Sequence, residues 1–300
     1  MSGTSVQPAE AHEQPVRFVY VDDGVPEAGT RFLREACAAR DVAFVPVDPR
    51  AFAFEPESRL EPGDLLYRPA ISLVAQKVEQ ALYAEGVATF YADPAGPYFG
   101  ILNPTLVFER SGIPVPRTIF CHTTDRKTLR AYAERLGGFP LIVKATGFSS
   151  GMGVVRVDSM ESFFSVIDLC LTLGRTPNLM AYVPDATHWR MVVVGDRVVA
   201  SYRNTVDEDD FRTHARRVDE DYHADPPAGM AEIAARAPAA QRLEMGGVDL
   251  LHHGPSERTY VLESNFPCYF AQAQDVIGVD TAGAMLDHLL AKREQLLTAS

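Results

Sequence analysis

The chain has 300 residues, 46% hydrophobic and 23% charged, with a formal net charge of -12; this is the composition of a globular protein large enough for two or three compact units. Its acidity argues against the broad basic face that nucleic-acid binders carry, so no nucleic-acid partner is expected and any bound polyanion must be small and locally neutralised. Cys37, Cys121, Cys170 and Cys268 show no paired spacing, which speaks against a zinc knuckle or disulfide framework and for a reducing, cytoplasmic setting, and no apolar run approaches the roughly 20 residues of a membrane span.

Residues 1–15 are polar, without a basic start or an apolar stretch, and are expected to form a disordered tail rather than a signal peptide or anchor. From Val16, short apolar runs alternate with amphipathic stretches: strand 16–21, helix 29–40, strand 42–47, strand 64–67, helix 73–85 and strand 87–91. This predicts a small, mostly parallel α/β sheet covered on both faces. The turn-rich Asp93-Pro94-Ala95-Gly96-Pro97 breaks the pattern, and a first domain is set at 16–103. A helix over 104–111 is stopped by Gly112-Ile113-Pro114-Val115-Pro116. Then come strand 118–121, helix 125–136, strand 141–144, a glycine loop, strand 154–157, helix 159–173 and strand 179–183. These make a smaller central α+β domain, 104–184. In the third domain, 185–300, strands 190–194 and 198–202 flank Gly195-Asp196 as a hairpin. The charged stretch 207–225 is expected to be a surface excursion. A helix over 227–240, two further strands and an amphipathic helix over 279–297 complete the chain.

Four places carry chemistry. Lys144 ends an apolar strand, and Gly147-Phe148-Ser149-Ser150-Gly151-Met152-Gly153 follows. Glycine lets backbone N–H groups approach an anion and serine adds donors, so Gly147, Ser149, Ser150, Gly151 and Gly153 can close over phosphates. The spacing fits neither the Walker loop nor the dinucleotide fingerprint, and a plain surface hairpin remains the alternative. Second, Met180-Ala181-Tyr182-Val183 leads into Pro184-Asp185 where the chain crosses between domains. A hinge strand can offer its backbone to an adenine edge, with Ile142 and Leu262 as walls; ordinary core packing is the alternative for each residue. Third, Arg190, Arg203, Arg212, Arg216 and Arg217 gather in an otherwise acidic chain. They can offset a triphosphate or a carboxylate, or pair with the neighbouring aspartates. The histidines, His188 and His214 among them, give little.

Fourth, Gly247-Val248-Asp249 and Glu263-Ser264-Asn265 lie on two apolar segments read as neighbouring strands. Glu263 and Asn265 are two apart and share a strand face, and Asp249 on an antiparallel neighbour can sit opposite them. Two carboxylates and an amide suit magnesium shared with substrate phosphates; a solvated strand face is the alternative.

The order of these motifs resembles the ATP-grasp superfamily, and within it the RimK-type carboxylate-amine ligases. The resemblance spans about 103–290 and rests on Gly112-Ile113-Pro114-Val115-Pro116, Phe139-Pro140-Leu141-Ile142-Val143-Lys144, 147–154, Trp189-Arg190-Met191-Val192-Val193-Val194-Gly195, Phe211-Arg212-Thr213-His214, Gly247-Val248-Asp249 and Leu262-Glu263-Ser264-Asn265. It implies an ATP-grasp fold in which two α+β units grip ATP. It also implies that Lys144 and the 147–153 loop hold phosphates, that Met180, Tyr182 and Val183 meet adenine, and that Asp185 meets ribose. Asp249, Glu263 and Asn265 would ligate Mg2+, with Mn2+ as a substitute. Arg190, with Arg203 and Arg212, would face the γ-phosphate and the acceptor carboxylate. The implied activity is ATP-dependent amide or peptide bond formation through an acyl phosphate, on a small-molecule or peptide carboxylate and amine, in an enzyme that similar proteins make a homodimer or homotetramer. A small-molecule kinase and a nucleotide-binding module without turnover are the rival readings. Two departures stand out. Relatives commonly carry Asn-Lys where this chain has Asn103-Pro104, so that either Arg110 or another cation substitutes or nucleotide affinity is reduced, and an Asn with Arg-Gly-Gly where it has His214 and Arg217-Val218-Asp219.

Overall fold

The computed structural model describes residues 15–93, 96, 103–145, 151–206, 210–212 and 219–299. The chain divides into a smaller unit, up to Thr89 and from Leu289 on, and a larger one, Phe90–His288. In the smaller unit, β1 (Arg17–Val21), α1 (Glu27–Ala38), β2 (Ala43–Val47), β3 (Leu65–Tyr67) and α2 (Leu73–Leu82) follow the expected alternation. The three strands form a parallel sheet in the order β2-β1-β3. Val19, Val21 and Leu66 pack against Ala75, Val78 and Leu82 of α2, and each fully buried aliphatic side chain contributes about 1.5–3 kcal/mol. The rings of Phe18, Tyr20, Phe44 and Tyr67 lie 5.2–6.5 Å apart in stacked and tilted pairs, alternate with these residues along the strands and so occupy the opposite face. Both faces are therefore apolar, as a parallel sheet requires. The strand expected over 87–91 does not form. Ala88 makes a single bridge to Leu65, and Tyr91 bridges Leu243 instead, so the segment changes partner before a ladder can grow.

The larger unit begins with α3 (Pro104–Arg110). Asn103 caps it, its side-chain oxygen accepting from the Leu106 N–H at 3.2 Å, and Pro104 takes the first turn, where proline's missing donor costs nothing. Then come β4 (Thr118–Phe120), α4 (Arg126–Arg135), β5 (Leu141–Ala145), β6 (Val154–Val157), α5 (Met160–Thr172) and β7 (Pro177–Ala181). The strands form an antiparallel sheet in the order β4-β7-β5-β6. One face is covered by α4 and α5, where Leu141, Val143, Val157 and Leu179 meet Leu129, Phe163 and Ile167. β7 starts and ends two residues earlier than expected, so Tyr182 and Val183 lie beyond its end, before Pro184.

A second antiparallel sheet is built from β8 (Ala186–Val194) and β9 (Arg197–Asn204). After α6 (Asp219–Tyr222) and α7 (Met230–Ala240), β10 (Met245–His253) and β11 (Arg258–Asn265) complete it in the order β11-β10-β8-β9. Here Trp189, Met191, Val193, Val248, Leu250 and Val261 are sealed by Phe108 of α3 and by Met230, Ala234 and Ala237 of α7. α8 (Ala271–Ile277) and α9 (Thr281–Ala299) close the chain. The charged stretch expected to be a surface excursion is anchored in its described part. Asp221 is fully buried, accepting from Arg203 Nε at 2.9 Å and Thr205 Oγ1 at 2.6 Å, and the rings of Tyr222 and Tyr202 lie 5.0 Å apart. No described helix is long and apolar enough to cross a membrane.

Candidate active site

Each four-stranded sheet of the larger unit has one face under helices, and strand alternation sends every second side chain to the other face. On the β11-β10-β8-β9 sheet, Glu263, Asp249, Arg190 and Tyr202 stand opposite one another in a row across all four strands. Asn265 lies two residues along β11, opposite Gly247. The register shifts between Asp249 and Leu250, leaving Leu262 as an extra residue on β11. This bulge lets Val261 join the helix-covered core while Glu263, of the same sequence parity, takes the other face.

Contacts within the row are tight. Arg190 Nη1 donates to Asp249 Oδ2 at 2.6 Å, and Asn265 Nδ2 donates to Glu263 Oε1 at 2.7 Å. The Asp249 and Glu263 carboxyl groups lie within hydrogen-bonding reach of each other across the β10–β11 pair. A Cβ at Gly247 would stand 2.3 Å from Arg190 Nη2 and 2.6 Å from its Cζ, so glycine is what leaves the guanidinium room against β10.

Burial pushes the Asp249 carboxyl up to about 6, with the Glu263 charge adding and Arg190 opposing. Burial would raise Glu263 too, but hydrogen bonds from Asp249 and Asn265 and the nearby Lys144 and Arg190 hold it below the usual carboxylate range. Glu263 is reached by solvent although protein surrounds its carboxylate. The two carboxyls are thus pushed in opposite directions, Asp249 up and Glu263 down. Burial lowers the Lys144 ammonium, against the pull of Glu263 and Asp249. Arg190 is desolvated as well, yet Asp249 holds it firmly charged. Buried beside them, Cys268 is pushed up to about 11 by desolvation and stays a neutral thiol.

Lys144 reaches this group from the other sheet. On β5 it shares a face with Ile142, and the register sets Ile142 opposite Met180 of β7 on one side and Arg156 of β6 on the other. Ile142 and Met180 are buried. The Arg156 guanidinium lies 4.8 Å over the Tyr182 ring and its Nε donates to Asp158 at 2.9 Å. Val183 is half-buried and Asp185 exposed, the latter with φ 50°, a left-handed conformation that aspartate tolerates. Leu262 is half-buried at the bulge. Gly151 and Gly153 have φ of 66° and 76°, and the Gly153 carbonyl accepts from the Ala145 N–H at 2.8 Å, closing the base of the β5–β6 connection. Gly147, Ser149, Ser150, His214, Arg216 and Arg217 lie outside the described residues.

The structure thus brings together Lys144, Arg190, Asp249, Glu263 and Asn265. It does not bring Arg203 or Arg212 to them. An ideal β8–β9 hairpin would set Arg203 opposite His188, on the open face. The register instead shifts at Val192/Val193, leaving Val199 extra and Arg203 opposite Trp189, where it meets Asp221. Arg212 pairs with Asp210, Nη2 to Oδ2 at 2.9 Å. His188, passed over in the sequence, is on the open face with Arg190, and burial together with Lys144 holds its imidazole down to about 4. Its position two before Arg190 on a strand was the signal; the same spacing before Asp249 marks Gly247.

Among the described residues no three His, Cys, Asp or Glu side chains form a metal cluster. The donor set of Asp249, Glu263 and Asn265 is nevertheless all oxygen, close together and partly desolvated, and fits a hard divalent cation.

Residues 103–289 match the RimK-like ATP-grasp domain family. The chain is 30% identical over 192 residues to the probable alpha-L-glutamate ligase of Picosynechococcus sp., covering 63% of this chain and 62% of that protein. It is 32% identical over 189 residues to the ribosomal protein bS6--L-glutamate ligase of Escherichia coli, covering 62% and 61%. The matched stretch therefore spans about six tenths of the length of these relatives. Among solved structures, the ATP-grasp ligase PsnB complexed with minimal precursor, Mg and ADP superposes with a TM-score of 0.66 over 92% of this chain and 98% of that one, at 16% identity, a likeness of fold.

Proposed function

The chain belongs to the RimK-like ATP-grasp family, and from that premise we propose that it is an ATP-dependent ligase joining a carboxylate to an amine. The observation that carries this reading is the meeting of Lys144, from one sheet, with Arg190, Asp249 and Glu263, from the other. Ile142, Met180 and Leu262, with the backbone of Tyr182 and Val183, would take the base, and Asp185 the ribose. Lys144, with Gly147, Ser149, Ser150, Gly151 and Gly153, would hold the phosphates. Asp249, Glu263 and Asn265 would hold magnesium, with manganese as a substitute, which when bound neutralises phosphate oxygens.

The substrate carboxylate oxygen attacks the γ-phosphorus, forming an acyl phosphate as the bond to ADP breaks. An amine nitrogen then attacks the acyl carbon, the C–N bond forms, phosphate leaves, and the amine proton goes to solvent. Arg190 aligns and neutralises anions that would otherwise repel each other, the positioning and electrostatic logic of phosphoryl transfer. Arg203 and Arg212 are each engaged by an aspartate instead. Asn103-Pro104 serves as a helix cap and Arg110 is exposed, so the phosphate grip rests on Lys144 and Arg190.

The relatives' names make L-glutamate the first amine to offer, with a small-molecule or peptide acid as its partner. A cytoplasmic setting fits an ATP-dependent enzyme whose four cysteines are free and buried, and a homodimer or homotetramer belongs to the same reading. The test incubates purified protein with ATP, magnesium, L-glutamate and pooled acids and amines, reading phosphate release and product mass. An amide with free phosphate supports the ligase. A phosphorylated acceptor would replace it with a kinase, and ATP-dependent thermal stabilisation without ADP release with a binding module.

A further inference from the structure

Two buried side-chain atoms on the open face of β8 make no hydrogen bond among the described residues: Nδ1 of His188 and Nε of Arg190. The residues are two apart on one strand, so both side chains rise from the same face with Cα atoms about 7 Å apart. A buried polar atom without a partner is a standing cost to the fold. Two of them on one strand face mark a place completed by an incoming ligand. The rest of the guanidinium is already fixed, with Nη1 on Asp249 at 2.6 Å and Gly247 leaving the space beneath it. Lys144 stands near enough for its charge to act on His188, and burial with that charge keeps the imidazole neutral at neutral pH. His188 therefore offers a hydrogen bond without adding a third positive charge beside Lys144 and Arg190.

Resting on the ligase reading, we propose that His188 contacts the substrate: its Nδ1, together with Nε of Arg190, holds an anionic oxygen of the nucleotide's phosphate chain beside Lys144. The chemistry recognised is an oxyanion, and the acceptor carboxylate is its other possible source. The sequence carried this residue in plain view, but only the two unpartnered atoms distinguish it from a histidine that merely packs.

The test titrates ADP and a non-hydrolysable ATP analogue, with magnesium, into wild type, His188→Leu, His188→Asn and His188→Gln by calorimetry, and records the unfolding temperature of each ligand-free protein. Leucine should weaken nucleotide binding about tenfold, the size of one lost hydrogen bond to a charged group. It should leave the unfolding temperature unchanged or higher, because an unpaired buried atom has gone. Asparagine places its amide where Nδ1 stood and should restore most of the affinity; glutamine reaches the Nε2 position and should restore less. A packing histidine would give the reverse pattern, a lower unfolding temperature with nucleotide affinity intact, and that result overturns the proposal. Intact nucleotide affinity with a raised KM for the carboxylate would move the oxygen to the acceptor and overturn the phosphate assignment. Wild type that binds neither nucleotide would refute the ATP reading itself, a failure separate from that of His188.

Discussion

The two four-stranded sheets of the larger unit are built on one plan and differ in what they carry on the face away from their helices. Each buries an apolar face under helices, α4 and α5 for one, α3 and α7 for the other. The face of β4-β7-β5-β6 away from its helices carries Ile142 and Met180 between Lys144 and Arg156, whereas that of β11-β10-β8-β9 carries Arg190, Asp249, Glu263 and Asn265. One is suited to a flat apolar ring and the other to concentrated charge. A nucleotide has both parts in one molecule, which is why the pairing of these faces says more than either alone. Desolvation also acts differently on them. On the apolar face it is favourable, while on the charged face it is tolerable only because each ion has a partner.

That contrast can be broken most severely at Glu263. Glu263→Ala should lower phosphate release on the order of 100-fold or more, as for loss of a main electrostatic group in an active site, with the unfolding temperature little changed. Full activity in a phosphate-release assay would remove Glu263 from the metal set. Next in size is Gly247→Ala, which places a methyl 2.3 Å from Arg190 Nη2. Displacing the guanidinium should cost about 1–3 kcal/mol of stability from overpacking together with a fall in kcat; chemical denaturation and turnover measured on one sample check both, and a variant unaffected in either would mean Arg190 is free to swing aside. Lys144→Ala belongs to the other face and should act mainly on binding, weakening ATP by about tenfold with a smaller change in kcat at saturation. Unaltered nucleotide affinity by calorimetry would separate the lysine from the phosphates. Asp221→Asn should touch catalysis least. It breaks the Arg203 pair at a fully buried carboxylate and should cost about 2–4 kcal/mol of stability, while nucleotide affinity stays within twofold. A large loss of affinity at intact stability would return Arg203 to the catalytic group.

Much of this was legible because strand period is simple. Glu263 and Asn265 are two apart and had to share a face, and the Asp249 strand was near enough in sequence to pair with theirs. The runs that became β1, β2, β5, β6 and β10 were short, apolar and bounded by turn residues, so their positions followed from composition. What could not be read was parity across irregular ladders. Val261 and Glu263 share a parity yet face opposite sides because of Leu262, and Arg203 exchanged faces because of Val199. A bulge is set by packing on both sides of a sheet, which no local pattern records. The 87–91 segment failed for a similar reason: it is apolar enough for a strand, but Tyr91 finds its partner at Leu243, far away in sequence. The burial of Asp221 depended on a distant arginine and threonine and looked like one more charge in an acidic run.

The two bulges have an effect besides aiming side chains. β9 and β11 are the outermost strands of their sheet, and each carries one of the irregularities; on β11 the Val261 N–H is further occupied by the Pro114 carbonyl at 2.8 Å. Kinked and partly capped borders are poor templates for strand addition. The distortions that orient the charged row therefore also guard the protein against sticking to itself in a crowded solution.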